Sequence, residues 1–191
     1  MTDDQLVKLC IKGDRKGQKI LYDTYSRRMY SICLRYCSDP AAAADALQNG
    51  FIRVYKYIDK YNETGNLSAW IRRIVVNSCL DEIRKRGRHF SVELDDVDAA
   101  SLKVEMKPVA EQFNIDRIKS MLQKLPLGYR TVFSMSVFDD MNHKEIATSL
   151  NISEATSRSQ LMRARKMLQE QIKSDSYLAS QYLGNRKTYT A

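Results

Sequence analysis

Residues 142–172 constrain the fold more than any other stretch of this chain. They read NHKEIATSLN, then IS, then EATSRSQLMRARKMLQEQI. Ile146, Ala147 and Leu150 share one face of a short helix, and Leu161, Ala164, Leu168 and Ile172 share one face of a longer one. Ile152 falls between them, where a turn residue must plug the angle of two crossing helices. Ser153 suits an N-cap for the second helix, with Glu154 at its positive end. The spacing therefore predicts a helix-turn-helix. The other face of the second helix carries Thr156, Arg158, Gln160, Arg163 and Arg165, whose side chains can bond base edges or phosphates. An ordinary solvated basic face is the alternative. The short helix, the plugged turn and the donor-rich second helix together point to DNA.

Composition narrows the rest. Seven glycines and three prolines in 191 residues are few, which suits a mostly helical chain. A formal charge of +8 favours a polyanionic partner, nucleic acid before membrane surface. No run of about eighteen apolar residues occurs, so no transmembrane helix is expected. The N-terminus is acidic, then amphipathic, unlike a secretory signal, and a cytoplasmic location is expected. Cys10, Cys33, Cys37 and Cys79 all lie in apolar helical patterns, and His89 and His143 are remote in sequence. Buried free thiols are expected rather than a metal site.

The chain reads as all-α. A short amphipathic helix ends near Gly13, which suits a C′ position. A second runs from about Arg15 to Cys37 with Ile20, Leu21, Tyr25, Met29, Ile32, Cys33 and Tyr36 on its apolar face. A third starts at Asp39 or Pro40 and runs through Tyr57, with Leu47, Phe51, Val54 and Ile58 in step. Its outer face is left to Asp45, Gln48, Arg53 and Lys56, as solvated surface or as a docking surface. After a polar loop at 62–66, a long helix points Trp70, Ile71, Ile74, Val75 and Ile83 inward, and Arg72, Arg73, Asn77, Arg84, Lys85 and Arg86 outward. Trp70 beside Tyr61 and the arginines reads either as a stacking platform for unpaired bases or as a core anchor. Residues 91–112 turn acidic and lose helical regularity, so they read as a linker. Residues 113–173 then form a second helical domain that ends in the helix-turn-helix, and 174–191 are a tail. No nucleotide-binding, metalloprotease or hydrolase motif is present, so the chain is not expected to be an enzyme and no cofactor is expected.

Three stretches in order resemble a known family. The segment from Asp39 through ALQNGFIRVYKYIDKY, the segment NLSAWIRRIVVNSCLDEIRKR, and LPLGYRTVFSMSVFDDMNHKEIATSLNISEATSRSQLMRARKML resemble an extracytoplasmic function (ECF) sigma factor of bacterial RNA polymerase. The resemblance covers about residues 5–90 and 113–173. It implies two helical domains joined by an acidic linker, the C-terminal one a four-helix domain with a helix-turn-helix. Residues 1–90 would dock on core polymerase and melt the −10 element, and 113–173 would read the −35 element. Asp45, Gln48, Phe51 and Arg53 would then meet the clamp helices of the largest polymerase subunit. Tyr61, Asn62, Trp70, Arg73 and Asn77 would hold an extruded −10 base, with Lys85 and Arg86 steering the backbone. Thr156, Ser157, Arg158, Gln160, Arg163 and Arg165 would read or grip the −35 duplex. Core polymerase, promoter DNA and an anti-sigma factor are the implied partners, with no metal and no small-molecule substrate. A stand-alone helix-turn-helix regulator is the alternative, and it leaves the third and fourth helices without a role.

Overall fold

The computed structural model describes residues 1–37, 39–62, 66–86 and 115–175. The chain divides into two compact units, Met1–His89 and Phe90–Ala191. The described residues are helical with no strand. The expected acidic linker at 91–112 and most of the expected tail lie outside them.

In the first unit, α1 spans Asp3–Ile11, α2 Arg15–Tyr36, α3 Pro40–Tyr57 and α4 Leu67–Lys85. Thr2 and Gln5 cap the start of α1 reciprocally. At its end the Gly13 N–H donates to the Cys10 carbonyl (3.0 Å) and the Asp14 N–H to the Leu9 carbonyl (3.1 Å), with Gly13 at φ +72°. This is the closing motif that glycine at C′ permits. Asp14 then caps α2 through the Gly17 N–H at 2.6 Å, so one short turn ends a helix and starts the next. Asp39 caps α3 through the Ala42 N–H, and Pro40 occupies the first turn, where its missing N–H costs nothing. Asn66 caps α4.

The core of this unit is Leu6, Val7, Leu21, Met29, Cys33, Tyr36, Ala43, Ala46, Val54, Leu67, Ile71, Val75, Cys79 and Leu80. α4 packs on both α2 and α3. It passes so close to α3 that a Cβ on Gly50 would meet Val75 Cγ2 at 3.0 Å and Val75 Cα at 3.3 Å. All four cysteines are free and buried. The Cys79 thiol is pushed well up by hydrogen bonding to Cys33 and Cys37 and by burial. One expectation needs correction. Ile20 is exposed, because the buried stripe of α2 runs through Leu21 and Met29 instead. The third helix ends at Tyr57, where the sequence places its end, and Ile58 is buried from a 3-10 turn, Ile58–Lys60.

In the second unit, α5 spans Ile115–Gln123, α6 Leu127–Val137, α7 His143–Leu150 and α8 Glu154–Ser174. α6 is the buried element: Tyr129, Val132, Phe133 and Met135 all lie in the core with Leu122, Ile146, Leu150, Leu161, Ala164 and Leu168. Arg130 is buried as well and donates to the carbonyl and the side-chain oxygen of Gln123, tying α6 to the end of α5. Asn142 and Glu145 cap α7 reciprocally. Asn151 ends it at φ +54°, a left-handed position that asparagine tolerates better than most residues. Ser153 caps α8 through the Thr156 N–H at 2.9 Å, as the sequence predicts.

Candidate nucleic-acid and polymerase interface

The outer face of α3 is set by helical spacing. Asp45 and Gln48 are exposed, and Ile52, four residues after Gln48, is 63% exposed on the same side. Sequence reading left Ile52 unremarked. The signal was its absence from the buried 47–51–54–58 stripe. Phe51 does not belong to this surface. It is 2% exposed and packs edge-on against Tyr22 at 4.8 Å, so it supports the face from beneath. Arg53 points across to α4, where its guanidinium donates to Asp81 at 2.6 Å. Asp81 also accepts from Arg84 at 3.0 Å.

The residues expected at the −10 element divide in the same way. Asn62, Arg73 and Asn77 are exposed and Trp70 is half-buried. Tyr61 is buried, with its ring centroid 5.7 Å from that of Trp70. Tyr61 is thus a buried partner of the tryptophan ring rather than a second open platform, and Trp70 keeps part of its surface in solvent. Lys85 is exposed, 3.9 Å from Glu82. Arg86 is exposed but held in ion pairs. It donates to Glu82 (3.0 Å) and to Asp39 (2.6 Å), and Asp45 lies 4.0 Å away. The Ala42 N–H and this guanidinium hold the Asp39 carboxyl below its usual range, and Glu82 with Asp39 raises Arg86.

On α8 the sequence-predicted row also splits. Thr156 is half-exposed at the helix start, its hydroxyl 2.8 Å from that of Ser153. Arg158 is exposed and pairs with Glu154 at 3.1 Å. Arg165 is half-exposed. Ser157 and Gln160 are corrections: they are 0% and 2% exposed, on the face of α8 turned into the unit. Helical spacing explains this, since Ser157, Gln160, Leu161, Ala164 and Leu168 fall along one stripe. Arg163 is half-buried and donates to the Tyr129 hydroxyl of α6 at 3.3 Å. Sequence reading missed His143, the first residue of α7, whose Nδ1 lies 2.9 Å from Ser157 Oγ. A histidine opening the first helix, opposite a serine in the stripe of the second, was the only available signal. Burial, then Arg158 and Arg165, hold its ring below the ordinary histidine range.

Among the described residues no helix is long and apolar enough to cross a membrane, and no group of three metal-ligating side chains comes together.

Comparison with known proteins places these surfaces in a family. The Sigma-70 region 2 model matches residues 21–89 and the Sigma-70 region 4 model matches residues 115–168. The chain is 28% identical over 177 residues to the ECF RNA polymerase sigma factor SigW of Bacillus subtilis, covering 87% of this chain and 95% of that one. It is 23% identical over 184 residues to the RNA polymerase sigma-H factor of Pseudomonas aeruginosa, covering 87% and 91%. Its fold is similar to that of the sigma factor RpoE of Bartonella quintana, solved in complex with the anti-sigma factor NepR. There the TM-score is 0.54 at 22% identity, over 82% of this chain and 97% of that one. One helical unit therefore carries the region 2 match and the other the region 4 match, in the order and over the length of these relatives, and the chain belongs to the extracytoplasmic function sigma factors of bacterial RNA polymerase.

Proposed function

We propose that this chain binds core RNA polymerase and directs initiation at particular promoters by holding DNA at two points. The observation that carries the reading is the pairing, in one chain, of a region 2 match and a region 4 match, each on its own helical unit. The working division is residues 1–90 for docking and melting, 91–112 as linker, 113–173 for duplex reading and 174–191 as tail. Docking uses the outer face of α3, with Asp45, Gln48 and Ile52. The exposed Asn62, Arg73 and Asn77, with the exposed part of Trp70, hold a −10 base, and Lys85 meets the backbone. Thr156, Arg158 and Arg165 meet the −35 duplex. Phe51, Tyr61, Ser157 and Gln160 shape these surfaces from below, and Arg53, Arg86 and Arg163 act from ion pairs and hydrogen bonds that DNA or polymerase must compete with.

The energetics fit this division. Flipping a base costs on the order of a few kcal/mol. One aromatic contact returns roughly 1–3 kcal/mol, so a single half-buried Trp70 does not melt DNA alone, and polymerase completes the pocket. Tethering both units on one enzyme supplies selectivity through effective concentration. The factor acts without catalysis of its own, in the cytoplasm, and an anti-sigma factor restrains it by covering these same faces.

The test mixes the purified chain with core RNA polymerase and reads transcription from a pool of promoter fragments. New start sites that depend on the chain are expected. Absence of both core binding and new starts refutes the proposal, and tight operator binding without polymerase would favour a stand-alone regulator instead.

A further inference from the structure

α7 meets α8 where His143 bonds Ser157, and Arg158 adjoins that serine on α8. His143 opens α7, and its ring feels Arg158 and Arg165 of α8 as repelling charges and Glu154 as an attracting one. On its own helix the charged neighbours are Lys144 and Glu145, the latter turned to the Asn142 N–H. The turn from α6 carries Asp139 and Asp140, and Arg130 of α6 is bound to Gln123. Arg158 is paired with Glu154, whereas Arg165 makes no ion pair among the described residues, and its buried Nε has no protein acceptor. The group thus has more donors than acceptors, which is the arrangement an anion completes.

Ser157 makes protonation of the histidine possible without undocking the helices. It is fully buried and 2.9 Å from His143 Nδ1. A hydroxyl can donate to a neutral imidazole nitrogen and can accept from a protonated one. The bond between α7 and α8 therefore survives a change of charge, which burial and then the two arginines oppose.

We propose that His143, Arg158 and Arg165 form a phosphate seat for the −35 duplex, and that His143 takes up a proton as the phosphate binds. The proposal rests on the reading of α8 as the duplex-binding helix and adds to it a residue of α7 and a proton. In the free protein the imidazole is kept neutral by burial and by the arginines. A phosphate oxygen among the three groups reverses the local field, so the bound form holds more protons than the free form. Linkage then requires duplex affinity to rise as pH falls through the histidine range.

The test uses the full chain and a short mixed-sequence duplex at low salt, followed by fluorescence anisotropy from about pH 7.5 to about pH 6, the range in which histidine titrates. Wild type is expected to gain about threefold or more in affinity on acidification, since a shift of one pKa unit corresponds to tenfold. His143→Gln keeps an acceptor for Ser157 but cannot titrate, and it is expected to lose that gain while remaining folded by circular dichroism. An NMR titration of wild type, with the second histidine assigned by His89→Gln, is expected to show the His143 ring titrating at higher pH with duplex than without. An unchanged or lower titration point, or an equal pH response in His143→Gln, overturns the proton uptake. Wild type that does not bind the duplex at any pH instead overturns the reading of α8 on which it rests.

Discussion

The approach of α3 to α4 at Gly50 yields a sharp prediction. Gly50→Ala places a methyl 3.0 Å from Val75 Cγ2 and 3.3 Å from Val75 Cα. The first contact cannot be relieved by rotation, because valine in a helix is held in one rotamer. The second is with backbone, so the helices must part. Overpacking of this kind costs about 1–3 kcal/mol, and exchanging glycine for alanine inside a helix returns about 1 kcal/mol. A net loss of about 1 kcal/mol is expected, or roughly 4–8 °C in Tm for a unit of this size. Val75→Ala alone removes two buried methyl groups and costs about 2 kcal/mol. In the double variant the new methyl occupies the space vacated by Val75, so the two losses add to less than their sum by about 1 kcal/mol. Urea unfolding followed by Trp70 fluorescence reads this unit alone, since Trp70 is the sole tryptophan and sits on α4. Additive losses, or a Gly50→Ala protein stabilised by the full helix-propensity gain, would refute the close approach.

Other outcomes follow from the same geometry. Arg53→Gln and Asp81→Asn break one half-exposed pair and should each change stability by about 0–1 kcal/mol; only Arg53→Gln should weaken core binding in a pull-down if Arg53 also reaches polymerase. Trp70→Ala should impair open-complex formation, read by permanganate footprinting, more than core binding; equal losses in both would assign Trp70 to folding alone. The Asp39 carboxyl sits below its usual range, so its contribution to stability is present above the unfolded-state pKa and fades as pH falls through the lower folded value. Asp39→Asn keeps an acceptor for the cap and should flatten that acid limb in urea titrations, and an unchanged limb would exclude Asp39 as its source. The four buried thiols should resist a disulfide exchange reagent in the native state and react on unfolding; rapid native reaction would contradict their burial.

Much of the fold was legible because periodicity and caps carry it. Gly13, Asp39, Pro40 and Ser153 each mark a helix end by local chemistry, and the structure places the ends within a residue or two of those marks. The surfaces were less legible, for a physical reason. A helix face narrows or widens by one residue on either side, and spacing alone does not say which neighbour fills the flank. Ser157 and Gln160 look polar and therefore outward, but both lie on the buried stripe of α8. Arg53, Arg86 and Arg163 look available in sequence, yet their acceptors Asp81, Asp39 and Tyr129 come from other helices. Ile52 escapes in the opposite sense, as an apolar residue that the stripe leaves outside.

The Arg86–Asp39 pair has a mechanical consequence. α3 and α4 are joined covalently through the turn after Tyr57, and the pair links the start of α3 to the residue that ends α4. The two helices and their two connections close a ring, one link of which is electrostatic. Each side of that link is partly exposed to solvent, so ionic strength acts on it as it does on other surface pairs. Raising salt should open the ring at that link while the covalent turn holds. Amide exchange should then quicken first at the start of α3 and the end of α4, so that salt sets how stiffly the hairpin can transmit a push from one face to the other.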